Sequence, residues 1–255
     1  MHKLRRLLCL VPRLLHVGVH LASGLLQCAL LFGVLPLRAR NALVRRWSRG
    51  LLRVFRIRVA SGGPGQGDTA GAVVANHVSW IDVFVLNAIG TCRFVAKAEV
   101  RGWPAIGWLS ARAGTVYVER GARAGLKSAN ATIAAHLAAG ERVAFFPEGT
   151  SGPQGGLLPF HANLFQGVLA AGADVHPVAL RYLGADGQPS AAAEYIGDMS
   201  LWQSIVSLLT HGPFVADVAL LAPIASPGLE RRALAARAHA VVKARLEGRF
   251  EPVHL

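Results

Sequence analysis

Residues 72–82 read Ala-Val-Val-Ala-Asn-His-Val-Ser-Trp-Ile-Asp, an apolar run that ends in a polar loop and then becomes apolar again. The short run of small and β-branched residues predicts a buried strand over 72–75. The polar residues that follow predict a turn and then a helix that begins close to Ser79, its expected N-cap. His77 is therefore expected in the loop between a strand and a helix.

The same alternation of strands and helices continues to the end of the chain. Six further strands are predicted, at 56–60, 92–96, 115–118, 143–146, 175–182 and 214–221. Helices are predicted at 126–139, 164–171, 201–209 and 229–246. This order indicates an α/β fold with a mixed, mostly parallel central sheet flanked by helices. We expect two parts, a basic, apolar membrane-anchoring helical segment at 1–55 and an α/β domain at 56–255.

Basic residues are concentrated in the first quarter of the chain. Twelve of the 27 Lys and Arg residues lie within 1–60, which contains none of the 14 acids. The rest of the chain is close to neutral, and an apolar content of 53% excludes a disordered protein. A nucleic-acid binder needs bases along a soluble groove. Here the bases flank an apolar segment, so we expect no nucleic-acid partner.

That apolar segment, residues 14–37, contains no charged side chain. A helix of this length, rising about 1.5 Å per residue, can cross about 30 Å of hydrocarbon. Bases at both ends disagree with the positive-inside rule for a single crossing, so an interfacial or re-entrant helical pair fits better. A cleaved signal peptide is the competing interpretation, but Pro12 and Arg13 interrupt its apolar core. We expect an uncleaved anchor on the cytoplasmic face of the inner membrane.

Residues 41–55 have the pattern of a basic amphipathic helix, with apolar residues every three or four positions and arginines between them. The apolar positions are Val44, Trp47, Leu51 and Phe55. Such a helix suits an anionic lipid surface, which makes anionic membrane lipid an expected partner. The alternative is a helix whose apolar side faces the protein core and whose basic side is solvated.

His77 and Asp82 are five residues apart, so on one ideal helix their side chains would diverge by about 140°. They can meet only if His77 lies in the loop before the helix and Asp82 lies in its first turn. Asp82 could then accept a hydrogen bond from one imidazole nitrogen, fixing the tautomer and raising the basicity of the other. The pair predicts a general base that acts on a substrate hydroxyl. A satisfied buried histidine is the commoner outcome for an isolated pair of this spacing.

A second polar segment, Phe-Pro-Glu-Gly-Thr at 146–150, directly follows a predicted strand. A carboxylate and small residues at the C-terminal end of a strand lie where α/β sheets bind ligands. Gly149 allows a close approach of the backbone to a ligand, and its N–H with that of Thr150 could bind an oxyanion. Taken alone, the segment is equally consistent with a tight turn that exposes Glu148.

Together and in this order, the two segments resemble the signatures of the glycerolipid acyltransferase family, typified by 1-acylglycerol-3-phosphate acyltransferases. Asn-His-x-Ser-x-x-Asp stands unbroken at 76–82, and Phe-Pro-Glu-Gly-Thr at 146–150. Residues 114–120 and 175–180 resemble two further blocks of the family. The basic helical pair in front suits the membrane-lying entrance of these enzymes.

The resemblance implies a mechanism. His77 would deprotonate the free hydroxyl of a lysolipid, which attacks the thioester of acyl-CoA or acyl carrier protein. Asp82 would orient His77 and stabilise the imidazolium. The acyl donor is a substrate, and neither a cofactor nor a metal is expected, although His77, Asp82 and Glu148 could imitate a set of metal ligands.

The resemblance also implies an acceptor site. The residues assigned to it are Asn76, Ser79, Lys97, Arg120, Pro147, Glu148, Gly149 and Thr150. Within this set, Arg120 would pair with a phosphate of the acceptor, and Lys97 is a weaker candidate for binding an anion. Glu148 would shape the site, and the residues at 76 and 79 would mainly hold the loop.

Two departures from the family pattern bear on the acceptor. Ser151 stands where the family often has Arg, and His161 stands where Lys or Arg often follows the Phe. The expected reaction is acylation of 1-acylglycerol-3-phosphate to phosphatidic acid in phospholipid biosynthesis, but two lost charges weaken the case for a phosphate. Acylation of lyso-ornithine lipid or another lysolipid is the alternative, and a catalytically inactive lipid-binding protein is a third interpretation.

Overall fold

The computed structural model describes residues 2–65, 69–103, 105–119 and 123–248, with side chains from residue 10 onward. Its strands are β1 (Ile57–Gly62), β2 (Gly71–Ala75), β3 (Arg93–Lys97), β4 (Val116–Val118), β5 (Arg142–Phe145), β6 (Val175–Leu183) and β7 (Phe214–Leu220). They form one sheet in the order β1-β7-β6-β2-β5-β3-β4. Among these seven strands, β6 and β7 pair antiparallel and every other neighbouring pair is parallel. The predicted mixed, mostly parallel sheet is confirmed, and each predicted strand is present.

Helices cover both faces of this sheet. They are α1 (His2–Leu31), α2 (Leu37–Val54), α3 (Asp82–Ile89), α4 (Ile106–Arg112), α5 (Arg123–Ala138), α6 (Phe165–Ala171), α7 (Leu201–His211) and α8 (Arg231–Glu247). In β2, Val73 and Ala75 face the core under α2, α3 and α7, whereas Ala72 and Val74 face the core under α5, α6 and α8. A strand buried on both faces is an unbroken apolar run, which explains why β2 was readable from the sequence.

The two N-terminal helices form an antiparallel hairpin. The Trp47 indole on α2 donates to the His20 carbonyl on α1 at 3.0 Å, and the two rings stack with centroids 4.8 Å apart. Gly24 permits this approach, because a Cβ atom there would lie 2.6 Å from Nε1 of Trp47. The helical pair expected from the sequence is present. The boundary after residue 55 stays a prediction.

The apolar side of α2 faces the protein and not lipid. Leu51 and Phe55 are each 1% exposed, and Trp47 packs against Phe84 of α3 with ring centroids 5.6 Å apart. The interpretation that this side lies on a membrane is therefore wrong, and the alternative of a core-facing helix with a solvated basic side holds. Helical periodicity shows that one face seeks an apolar environment, but it does not distinguish a protein core from lipid.

The opposite side of α2 forms an open basic groove of about 620 Å³. Its lining residues are Arg38, Asn41, Ala42, Arg45, Arg46, Arg49, Arg53 and Thr91. Its lining contains five arginines and no acidic side chain, so this surface is strongly basic.

Helix α1 has one face on the protein and one face exposed. Val17 and Cys28 are 6% and 8% exposed, whereas a row of large apolar side chains points outward. The exposed row, continued by the turn after α1, is Val11, Leu15, Val19, Leu26, Leu30 and Val34. Among the described residues, one segment, Leu10–Leu31, is long and apolar enough to cross a membrane, with a mean hydropathy of 1.6.

Candidate active site

The candidate site lies where β2, β5 and β3 end, at one edge of the sheet, since these neighbouring strands run parallel. His77 is in the loop after β2, and Asp82 is the first residue of α3. Nδ1 of His77 lies 2.8 Å from Oδ2 of Asp82. An ionised carboxylate can only accept, so the ring donates from Nδ1 and the basic nitrogen is Nε2. The predicted arrangement of loop histidine and first-turn aspartate is present.

Asp82 is fully buried, and its carboxylate is surrounded by donors. Besides His77, Oδ2 accepts from the backbone N–H groups of Val78 and Ser79 at 2.8 and 2.9 Å. Oδ1 accepts from the hydroxyl of Tyr182 at 2.6 Å. Four hydrogen bonds compensate the desolvation of the charge and hold the carboxylate in one orientation.

The predicted N-cap role of Ser79 is wrong. Its hydroxyl is buried without a hydrogen-bond partner among the described residues, and Ile81 occupies the N-cap position of α3. The carboxylate of Asp82 instead accepts the backbone N–H groups of Val78 and Ser79, in the loop before the helix. A charged acceptor near the helix N-terminus also interacts favourably with the helix dipole, which a neutral hydroxyl does less well.

The second motif contacts the first directly. The imidazole of His77 stacks on Phe146, with ring centroids 4.0 Å apart and planes 12° from parallel. Glu148 accepts the backbone N–H of His77 at 2.6 Å through Oε1 and that of Leu158 at 2.8 Å through Oε2. The backbone carbonyl of His77 accepts from the N–H of Gly152 at 2.8 Å. The loop after β5 thus fixes the position of the catalytic candidate.

Glu148 is 6% exposed, so the expected alternative of an exposed glutamate in a tight turn does not hold. Burial raises the pKa of its carboxyl above the ordinary value, although the amides of His77 and Leu158 favour the ionised form. Both oxygens are used to hold two loops together. A direct contact with the acceptor stays a prediction.

The remaining predicted acceptor residues divide by exposure. Asn76 is 4% exposed, and its side-chain amide bonds both the N–H and the carbonyl of Leu180. Asn76 therefore holds the loop through its side chain, whereas Ser79 is fully buried and its hydroxyl has no hydrogen-bond partner among the described residues. Pro147 is buried as well, with its carbonyl accepting from the His161 N–H at 2.9 Å.

Three other predicted residues lie at the surface of this edge. Gly149 and Thr150 are exposed at the tip of the loop after β5, and Lys97 is exposed at the end of β3. Gly149 has a φ of +71°, which explains the glycine. Its N–H donates to the Phe146 carbonyl at 3.1 Å, and the binding of an oxyanion by the N–H groups of Gly149 and Thr150 stays a prediction. Arg120 lies outside the described residues.

Sequence reasoning missed two residues of the site. Tyr182 on β6 contacts Asp82, and Gln154 holds the main chain of Tyr182 by accepting its N–H at 2.6 Å. Tyr182 is 100 positions from Asp82, and Gln154 is 28 positions from Tyr182, so no local spacing could have indicated either residue. Among the described residues, no three His, Cys, Asp or Glu side chains are grouped as metal ligands.

Comparison with known proteins identifies the family to which this chain is similar. A profile of the Acyltransferase family matches residues 65–181. Lyso-ornithine lipid O-acyltransferase of Pseudomonas aeruginosa is 39% identical over 221 residues, which are 86% of this chain and 83% of that protein. A 1-acyl-sn-glycerol-3-phosphate acyltransferase of Neisseria meningitidis is 39% identical over 158 residues, or 62% of each chain.

The fold has a counterpart among solved structures. The 1-acyl-sn-glycerophosphate acyltransferase of Thermotoga maritima superimposes with a TM-score of 0.72 over 97% of each chain, at 22% sequence identity. This likeness extends from the N-terminal helices to the last helix and confirms the architecture. The profile match and the Pseudomonas aeruginosa relative, aligned over 86% of this chain, show that the chain is an acyltransferase and belongs to the family of lysolipid acyltransferases.

Proposed function

We propose that this enzyme transfers a fatty acyl group from a thioester donor to the free hydroxyl of a lysolipid, with His77 as general base. The observation that carries the proposal is the hydrogen bond between Nδ1 of His77 and the buried carboxylate of Asp82. It leaves Nε2 as the basic nitrogen of a side chain that is 20% exposed at the open edge of the sheet. A base positioned in this way contributes about 10²–10⁴-fold to a proton-transfer step.

The proposed reaction needs no covalent enzyme intermediate. Nε2 of His77 takes the proton of the acceptor hydroxyl as its oxygen attacks the thioester carbonyl. The tetrahedral intermediate collapses with cleavage of the C–S bond, and the imidazolium returns the proton to the leaving thiolate. Asp82 stabilises the imidazolium throughout by accepting from Nδ1. The donor would be acyl-CoA or acyl carrier protein, and no metal or further cofactor enters the scheme.

For the acceptor we favour lyso-ornithine lipid. The relative of that name from Pseudomonas aeruginosa aligns over 86% of the chain, against 62% for the 1-acyl-sn-glycerol-3-phosphate acyltransferase of Neisseria meningitidis. The loop from 147 to 161 also contains no Lys or Arg, so it offers a phosphate no cation. Lysophosphatidate is the second candidate, supported by the unbroken 76–82 and 146–150 motifs and by the Neisseria relative.

We also propose that the N-terminal hairpin holds the enzyme on the cytoplasmic face of the inner membrane. The exposed apolar row of α1 supplies a surface for lipid chains, and the arginine groove of α2 complements anionic headgroups. Helix α1 is joined to the catalytic domain, since Arg13 donates to the Leu209 carbonyl of α7. A membrane-lying hairpin would deliver the enzyme to a substrate that itself resides in the membrane.

The test is release of thiol from acyl-CoA or acyl carrier protein in the presence of a panel of lysolipids. We expect turnover with lyso-ornithine lipid, and a fall of at least about a hundredfold in the His77→Ala variant. His211→Ala, an exposed histidine at the end of α7, is the matched control and should retain full activity. Turnover with lysophosphatidate alone would replace the favoured acceptor, and an active His77→Ala enzyme would overturn the mechanism.

A further inference from the structure

Strand β6 extends beyond the end of its neighbour β2. The register between them ends where Ala75 pairs with Val178, whereas β6 continues to Leu183. Because β2 does not reach this extension, the backbone N–H and C=O groups on that side of β6 would be buried without hydrogen-bond partners, which is costly. Two side-chain amides substitute for the missing strand, that of Asn76 at Leu180 and that of Gln154 two residues further along.

Gln154 is itself held in place. Its backbone N–H donates to Glu194, and its side-chain amide donates to the carbonyl of Ser190 at 2.9 Å while Oε1 accepts the N–H of Tyr182 at 2.6 Å. Gln154 is 8% exposed and Tyr182 is fully buried. The ring of Tyr182 is therefore fixed at its main chain, by packing in the core, and at its hydroxyl.

The hydroxyl of Tyr182 is directed at the carboxylate that orients the base. It donates to Oδ1 of Asp82, the one carboxylate oxygen that His77 and the loop amides do not use. Burial, the negative charge of Asp82 and this hydrogen bond raise the pKa of Tyr182 well above its ordinary value. The hydroxyl consequently keeps its proton and acts as a donor across the working pH range.

From this geometry we infer that Tyr182 is a positioning residue of the reaction, which acts through Asp82 to set the orientation and the basicity of His77. The inference rests on the proposed function. By binding Oδ1, Tyr182 draws negative charge away from Oδ2, so Asp82 holds the imidazolium less tightly than an unassisted carboxylate would. Gln154 and Asn76 hold β6 so that the hydroxyl reaches this oxygen.

The inference predicts a specific change when the hydroxyl alone is removed. In Tyr182→Phe, Oδ1 of Asp82 stays buried without its donor, and the carboxylate interacts more strongly with the imidazolium. The acidic limb of the kcat pH profile should move to higher pH by about half a unit. The Asp82 carboxylate is also held less firmly, and the imidazole ring of His77 that it orients becomes looser. We therefore expect kcat to fall about tenfold while KM for the donor changes less than about twofold.

Tyr117→Phe is the matched control, because the Tyr117 hydroxyl is bonded to Ser110 and Gly107, away from Asp82. This substitution should remove a hydrogen bond of similar strength and leave the pH profile of kcat unchanged. A Tyr182→Phe enzyme that loses thermal stability but keeps the wild-type pH profile and kcat would overturn the inference, since the hydroxyl would then be structural only. That result leaves the proposed function intact, whereas an inactive wild-type enzyme would overturn both.

Discussion

Glu148, in the loop after β5, accepts a hydrogen bond of 2.6 Å from the backbone N–H of His77, in the loop after β2. The two residues are 71 positions apart, but their strands are neighbours in the sheet and end at the same edge. The second motif therefore acts on the first through the backbone. What looks in the sequence like a separate ligand-binding loop is also the support of the catalytic histidine.

This relationship predicts that Glu148→Gln is not a conservative change. Both oxygens of the carboxylate accept a backbone amide, whereas a glutamine has one oxygen and would direct its NH₂ group at the other N–H. We expect the free energy of unfolding to fall by about 2 kcal/mol and kcat to fall with it. Chemical denaturation and the thiol-release assay measure the two effects.

Glu194→Gln is the control for that experiment, because Glu194 accepts a single backbone amide, that of Gln154, which a glutamine oxygen can still do. Its free energy of unfolding should change by less than about 0.5 kcal/mol. Equal stability of Glu148→Gln and wild type would contradict the bridging role that the structure gives Glu148.

Asp82→Asn should separate the charge from the fold. An asparagine can place its oxygen toward His77 and the two loop amides and turn its NH₂ group toward Tyr182, whose hydroxyl then accepts. The loop should keep its shape, but the imidazolium loses its negative partner. We expect kcat to fall about 10²–10⁴-fold with the circular dichroism spectrum unchanged. An enzyme within threefold of wild-type kcat would show that Asp82 is not needed for catalysis.

The strands could be predicted because their signals are local. In β2, four adjacent apolar residues alternate between two cores, so the whole run is buried and stands out in the sequence. Helix α4 was missed because its seven residues, with Gly107 among them, are too few to show a helical period. The apolar side of α2 was recognised, but its partner is α3, which no local pattern specifies.

The residues of the candidate site also divide into those whose contacts are local in the sequence and those whose contacts are distant. His77 and Asp82 are five residues apart, so their meeting could be derived from helix geometry and the preceding strand. Tyr182 reaches the same carboxylate from 100 residues away, and a buried tyrosine in a strand is otherwise ordinary. Ser79 is a favourable N-cap residue by type, but α3 begins only at Asp82, so Ile81 occupies the N-cap position and its side chain makes no capping hydrogen bond.

Glu141 predicts how stability depends on pH. Burial acts to raise the pKa of its carboxyl, but hydrogen bonds and charge from Arg93 and His136 outweigh it and hold the pKa below the ordinary value of 4.5. The folded state therefore binds this proton less readily than the unfolded state does. The stabilisation is present above pH 4.5 and is lost as the pH falls through the lower folded value.

Glu141→Gln should accordingly lower the free energy of unfolding by about 1 kcal/mol at pH 6 and by much less near pH 3. Urea denaturation across this range measures the difference. Glu247→Gln is the control, since Glu247 is 67% exposed in a pair with Lys243 and should show almost no effect at any pH. A Glu141→Gln difference that stays constant down to pH 3 would contradict the assigned contact.

The exposed apolar row of α1 predicts where membrane affinity resides. Leu26 and Leu30 are 60% and 63% exposed and one helical turn apart, so they can enter a lipid surface together. The double variant Leu26→Glu/Leu30→Glu adds two negative charges there without disturbing a core contact. We expect its fraction bound to vesicles that contain phosphatidylglycerol to fall at least about tenfold, with the unfolding midpoint unchanged.

Val241→Glu on α8 is the control, because this side chain is also exposed, at 39%, but lies under the opposite face of the sheet. It should bind vesicles as wild type does. Adding salt should weaken wild-type binding only in part, since the arginine groove is screened while burial of the leucines is not. Undiminished vesicle binding by the α1 variant would show that the membrane contact does not lie on this helix.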